Sequence, residues 1–215
     1  MSSLEGPRVA ARSGTARSLV IFLHGYGADG DDLIGLGESW ADAMADTAFV
    51  APHAPEVCGQ NPDGRQWWDL STRSEADRWA GVQRAAPGLD AFITAEADAL
   101  GIAPGKVALV GFSQGTMMAL HVGLRRPEPL GGIIGYSGVI AGREHLAEGI
   151  RSRPPVFLAH GSADQVIPVD ALVATVETLA ENGVPRTWHL AHGMAHGIDP
   201  VGLAKGASFL AHRLG

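Results

Sequence analysis

Lys106-Val107-Ala108-Leu109-Val110-Gly111-Phe112-Ser113-Gln114-Gly115 is the stretch whose reading decides the fold. Its first five residues are an apolar run of strand length, and Thr116 through Leu124 continue as a buried, helix-like segment rich in Met, Ala and Leu. A serine flanked by glycines where a strand gives way to a helix is the arrangement called a nucleophile elbow. The turn is tight enough to strain the backbone at Ser113 and to exclude side chains two residues away. The hydroxyl is thereby raised above the sheet, where a base and a substrate can both reach it. As a string, GxSxG is a weak signal; its weight depends on what stands elsewhere in the chain.

Outward from this stretch, short apolar runs alternate with longer amphipathic ones. Strands are predicted at Ser18–Leu23, Thr47–Ala51, Lys106–Val110, Gly132–Tyr136, Val156–His160 and Arg186–Leu190. Helices are predicted at Asp32–Ala45, Ala85–Leu100, Gln114–Arg125, Val169–Glu181 and Pro200–Leu214. Five-residue strands separated by helices of a dozen residues imply crossover connections and a mostly parallel sheet. Arg8–Arg12, before a Ser-Gly-Thr turn, adds a candidate antiparallel edge strand. Pro52–Trp79, with three prolines, shows no periodicity and is expected to wall a binding site.

In an open parallel sheet, functional groups gather at the carboxyl ends of strands. Three further segments end strands with unusual chemistry. Val20–Leu23 breaks into His24-Gly25-Tyr26-Gly27, a loop able to aim backbone N–H groups at a developing oxyanion. With it the amide of Gln114, at the positive end of the following helix, is the second donor; the plainer reading is an ordinary strand-to-helix turn. Val156–His160 runs on to Asp164, a carboxylate placed to accept from a histidine. Asp170 is its rival, though it falls in a first helical turn and reads as a dipole-favoured surface charge. Arg186–Leu190 leads into Ala191-His192-Gly193-Met194-Ala195-His196-Gly197, which offers two histidines as general base. Spacing favours His196 over His192 only mildly. The order Ser113, Asp164, His196 is that of the α/β-hydrolase triad.

Taken together, these motifs resemble the small carboxylesterase/phospholipase branch of the α/β-hydrolases, which includes acyl-protein thioesterases. The resemblance rests on LHGYG (Leu23–Gly27), APHAP (Ala51–Pro55), WWD (Trp67–Asp69), GFSQG, HGSADQVIP (His160–Pro168) and GMAHG (Gly193–Gly197). It implies an α/β-hydrolase fold, a mostly parallel twisted sheet with helices on both faces. By motif position it implies Ser113, Asp164 and His196 as catalytic residues, which selects His196, with Tyr26 and Gln114 as backbone oxyanion donors. Two departures bear on substrate range. Tyr26 stands where many members have a smaller residue, and Trp68 where Phe or Tyr is commoner. Tyr26, Trp67 and Trp68 are therefore candidate substrate-binding residues, with core packing the competing reading for the two tryptophans. Cys58 reads as a bystander, and Ser113 at the elbow excludes dehalogenase-like chemistry.

The expected activity is carboxylic ester hydrolysis on short- to medium-chain acyl esters. An acyl-protein or acyl-CoA thioesterase, or a lysophospholipase, would use the same residues; a non-catalytic binding protein of this fold is the rival from another class. The mechanism calls for no metal or organic cofactor, and the nine histidines lack HExxH spacing. Gly138–Arg153 is too short for a cap domain, so an open site is expected. The whole chain, 215 residues with 46% hydrophobic and 18% charged content, is expected to form one domain, residues 1–215. A formal charge of −7 without a basic stripe argues against nucleic acid. Met1–Pro7 has no leader-like pattern, no run approaches about 18 apolar residues, and the single Cys58 forbids an internal disulfide. A cytoplasmic location without a membrane span is the expectation, and the resemblance adds a homodimer as a family expectation.

Overall fold

A computed structural model describes residues 4–72 and 74–215. The chain opens with β1 (Arg8–Val9), β2 (Ser18–Leu23), α1 (Asp31–Trp40) and β3 (Thr47–Val50). A small hairpin follows, β4 (Glu56–Val57) and β5 (Arg65–Gln66), and then α2 (Glu75–Leu100) and β6 (Val107–Phe112). The second half alternates: α3 (Gln114–Gly123), β7 (Gly132–Tyr136), α4 (Leu146–Gly149), β8 (Val156–Gly161), α5 (Asp170–Glu181), β9 (Arg186–Ala191) and α6 (Pro200–Leu214).

Among the described residues, seven strands form one sheet in the order β1-β3-β2-β6-β7-β8-β9. Neighbours pair in parallel except β1, which runs antiparallel to β3 through Arg8↔Val50 and Val9↔Phe49. Alternate residues face opposite sides. Leu19, Ile21 and Leu23 join the core under α2, α3 and α5, whereas Val20 and Phe22 pack with Trp40 of α1 and Leu210 of α6. Because helices cover both faces, the central strands are buried throughout except at Phe112, the half-buried last residue of β6. This is the α/β-hydrolase architecture that the sequence order predicts. Between β7 and β8 stand only a 3₁₀ turn at Arg143–His145 and the four-residue α4, so no cap domain covers the sheet. No helix among the described residues is long and apolar enough to cross a membrane.

Three elements differ by more than two residues from the sequence-based expectation. α1 ends at Trp40 rather than Ala45, because the chain must reverse to lay Thr47 beside Ser18. Ala41 and Met44 stay buried through that turn, which is why the apolar pattern reads on as helix. α2 starts at Glu75, ten residues before the expected Ala85. Pro87 suggests a helix start, yet it lies inside α2, and the true N-cap is Ser74, whose hydroxyl accepts from the Asp77 amide at 3.1 Å. The edge strand shrinks to Arg8–Val9.

Candidate active site

β6 delivers Ser113 with φ 53° and ψ −113°, a left-handed backbone that a serine adopts only at a cost of about 1–3 kcal/mol. The surroundings hold it there. The Ser113 amide donates to the Tyr136 carbonyl at 2.9 Å, and the Thr116 amide donates to the Ser113 carbonyl at 3.0 Å. The flanking glycines are demanded by close approach: a Cβ on Gly115 would lie 1.8 Å from the Leu23 carbonyl oxygen, and one on Gly111 would lie 2.3 Å from the Gly115 oxygen. β2 and the start of α3 are therefore packed backbone against backbone.

The loop after β2 is built on His24, which is fully buried. Its Nδ1–H donates to the Gly25 carbonyl at 2.7 Å, while Nε2 accepts the Ala54 amide at 3.0 Å. Both nitrogens are thus used by a neutral ring, and burial pushes its pKa below the ordinary histidine value. The Trp67 indole donates to the His24 carbonyl at 3.1 Å and clamps the loop from the other side. The amides of Tyr26 and Gln114 have no protein acceptor among the described residues. Two free N–H groups beside a raised serine are what stabilisation of a tetrahedral oxyanion requires. The Tyr26 ring also lines the cavity, and its hydroxyl, buried beside Cys58, is raised to about 12 by burial and by that thiol.

Asp164 follows β8 with its side chain fully buried. Oδ1 accepts the Val166 and Ile167 amides at 2.8 and 2.9 Å. Oδ2 accepts His196 Nδ1–H at 2.7 Å, and His160 Nε2 lies 3.3 Å from the same oxygen. Burial works to raise this carboxyl, but the Ile167 amide, the His196 ring and the Val166 amide outweigh it and hold the carboxyl below its ordinary value. With Nδ1 engaged by Asp164, the second ring nitrogen of His196 has no protein partner among the described residues. Ser113 and His196 line the same cavity, and the His196 ring lies 5.0 Å from that of Phe112. His192 is exposed and lies outside the lining; Asp170 lines the cavity but at the first turn of α5.

The reading of Trp67 and Trp68 as substrate-binding residues is corrected. Each is about 1% exposed, and neither lines the cavity. The Gln114 side chain accepts the Trp67 amide at 3.0 Å and donates to the Trp68 carbonyl at 2.8 Å, which draws this segment beneath the elbow. The Trp68 ring fills the space over Gly81, where a Cβ would sit 2.2 Å from the indole. Their large surfaces serve the core, and through Gln114 and His24 they brace the site.

The cavity encloses about 780 Å³. Leu70, Met117, Val139, Ile140 and Ile167 make its apolar wall, and Glu75, Arg78, Arg143 and Glu144 bring charge to its lining. Of the expected Pro52–Trp79 wall, Gln60, Leu70, Glu75 and Arg78 take part. The segments from Val139 to Glu144 and from Ala171 to Thr175 carry no sequence signal, because apolar residues of a wall and of a core look alike. Asp29, Asp31 and His53 bring one ligand atom each within 4.8 Å of one another, outside the lining. His53 spends Nδ1 on the Gly30 amide at 3.1 Å.

Comparison with known proteins agrees with this architecture. A family model described as phospholipase/carboxylesterase matches residues 4–214. The chain is 30% identical to acyl-protein thioesterase 1 of Saccharomyces cerevisiae, with 98% of this chain and 99% of that protein covered. It is 30% identical to the esterase YpfH of Escherichia coli, covering 86% and 78% respectively. Among solved structures, the crystal structure of esterase PE8 superposes with a TM-score of 0.96 at 46% identity, over 99% of this chain and 100% of that one. The chain therefore belongs to the phospholipase/carboxylesterase family of α/β-hydrolases and is a serine ester hydrolase.

Proposed function

We propose that the chain hydrolyses carboxylic esters of short- to medium-chain acyl groups through an acyl-enzyme on Ser113. The observation that carries this reading is the 2.7 Å bond between Asp164 and His196 Nδ1 at the edge of the cavity that Ser113 lines. In the neutral ring with Nδ1–H so engaged, Nε2 is the nitrogen that accepts. His196 takes the Ser113 proton as the oxygen attacks the acyl carbon, and the buried Asp164 stabilises the imidazolium that forms. The amides of Tyr26 and Gln114 receive the oxyanion. His196 then passes its proton to the departing alcohol, and water attacks the acyl-enzyme by the same route in reverse.

A cavity of about 780 Å³ falls in the usual range for small-molecule pockets, which suits such acyl groups better than a long lipid tunnel would. A second reading, thioester hydrolysis on an acyl chain carried by a larger molecule, is favoured by the uncovered sheet top and by the relatives named acyl-protein thioesterase 1. The test is labelling with a fluorophosphonate beside Ser113→Ala, followed by p-nitrophenyl esters of graded chain length and an acyl thioester. Labelling of the wild type alone, with ester turnover peaking at short or medium chains, is the expected result. Absence of labelling would remove the reading. Thioester turnover far above every ester would replace it with the second.

A further inference from the structure

Tyr136, the last residue of β7, and Ser137 just after it reach both halves of the proposed machinery. The carbonyl of Tyr136 accepts the Ser113 amide at 2.9 Å, so it fixes the height of the elbow. The next residue, Ser137, is fully buried, and its own amide donates to Ala159 of β8 at 2.8 Å. Ser137 has φ 46° and is, with Ser113, one of two non-glycine residues at positive φ among those described. Glycine would adopt that backbone without strain. A serine held there needs a reason, and its hydroxyl supplies one. Oγ donates to the Gly197 carbonyl at 2.8 Å, and the Gly197 amide points back at Oγ from 3.4 Å. Gly197 directly follows His196.

We infer that Ser137 is a positioning residue for the base: its hydroxyl ties Gly197, the residue after His196, to the end of β7, whose Tyr136 carbonyl holds the Ser113 amide. This inference rests on the proposed roles of Ser113 and His196. The loop before His196 is held separately, by the Ala163 amide on the Met194 carbonyl at 2.9 Å. Asp164 sets the ring's tautomer and tilt. Ser137 sets how far the loop stands from the elbow, through two consecutive residues at the end of β7. A displacement of about 1 Å in such a pair costs on the order of a hundredfold in rate.

Two substitutions separate positioning from mere stability. Ser137→Ala removes the hydroxyl and keeps the strained backbone. Ser137→Gly removes the same hydroxyl but relieves the strain, which offsets the cost of the lost hydrogen bond. On p-nitrophenyl butyrate, both are expected to lose roughly 10- to 100-fold in kcat with KM within about twofold. Fluorophosphonate labelling should slow in parallel, and the low-field proton resonance of His196 Nδ1–H should shift or broaden. The urea midpoint of Ser137→Gly is expected to remain near that of the wild type. Wild-type kcat in Ser137→Gly would overturn the inference, as would losses that track only the unfolded fraction. Full ester turnover in Ser113→Ala would instead remove the reading beneath it, an outcome distinguishable because it needs no Ser137 variant.

Discussion

Gln114 is usually considered for its amide nitrogen, yet the structure gives its side chain a task of its own. The carboxamide is completely buried and bridges the Trp67 amide and the Trp68 carbonyl at 3.0 and 2.8 Å. Gln114→Met keeps the length and bulk of the side chain and deletes both hydrogen bonds. No space opens for a water to take their place. One backbone N–H and one backbone C=O are left unpaired between side chains that are about 1% exposed. Each buried orphan costs about 1–3 kcal/mol, so the variant should lose roughly 2–6 kcal/mol. In urea, with a slope of about 2–3 kcal/mol per molar for a chain of this size, the midpoint should fall by about 0.7–3 M. The Gln114 amide is untouched, so Ser113 should still label with a fluorophosphonate below the transition. A loss under about 0.5 kcal/mol would refute the reasoning, because the Trp67–Trp68 segment would then be held without this bridge.

Asp164→Asn keeps an acceptor for the Val166 and Ile167 amides and forces the other tautomer on His196; kcat should fall by about 10⁴ with the fold intact, and a loss under tenfold would remove Asp164 from the machinery. The Asp164 carboxyl is also held below its ordinary value, so it contributes stability at pH values above about 3.9 that is lost as pH falls through its folded value. Urea titrations between pH 5 and 2.5 should show that loss flattened in the Asn variant. His121 is buried, and burial, aided by Arg125, lowers it to about 3. Between about pH 6.5 and 3 the unfolded chain binds this proton and the folded chain refuses it, so stability declines on acidification by about 1.4 kcal/mol per pH unit. His121→Leu should reduce the measured slope between pH 5.5 and 4 by about that amount; an unchanged slope would show that the folded ring takes up the proton.

Much of the site was legible because its chemistry is local. Gly111 and Gly115 are prescribed by a turn in which a Cβ would meet backbone at 1.8–2.3 Å, and such a demand leaves its mark on two positions that flank Ser113. The strands were legible because burial on both faces requires uninterrupted apolar runs. Asp164 and His196 were visible as polar breaks after strands, and the resemblance chose between His196 and His192 where spacing could not. For Trp67 and Trp68 the sequence leaves pocket and core both open, because a large aromatic residue gives the same signal in either; the Gln114 carboxamide and Gly81 decide for the core, and neither contact is local. The start of α2 was hidden by Pro87, whose preference for a first turn is overridden by the Ser74 cap and the packing of Val82 and Leu89.

The sequence by itself determined the order of strands and helices, the strained serine and the candidate partners, because each depends on neighbours within a few residues. Only the tertiary structure decided how His196 meets the buried Asp164, that Ser137 grips the residue after it, and that both tryptophans turn away from the cavity. Those outcomes depend on hydrogen bonds between groups 32 to 60 residues apart, whose partners are fixed only once the sheet has been assembled.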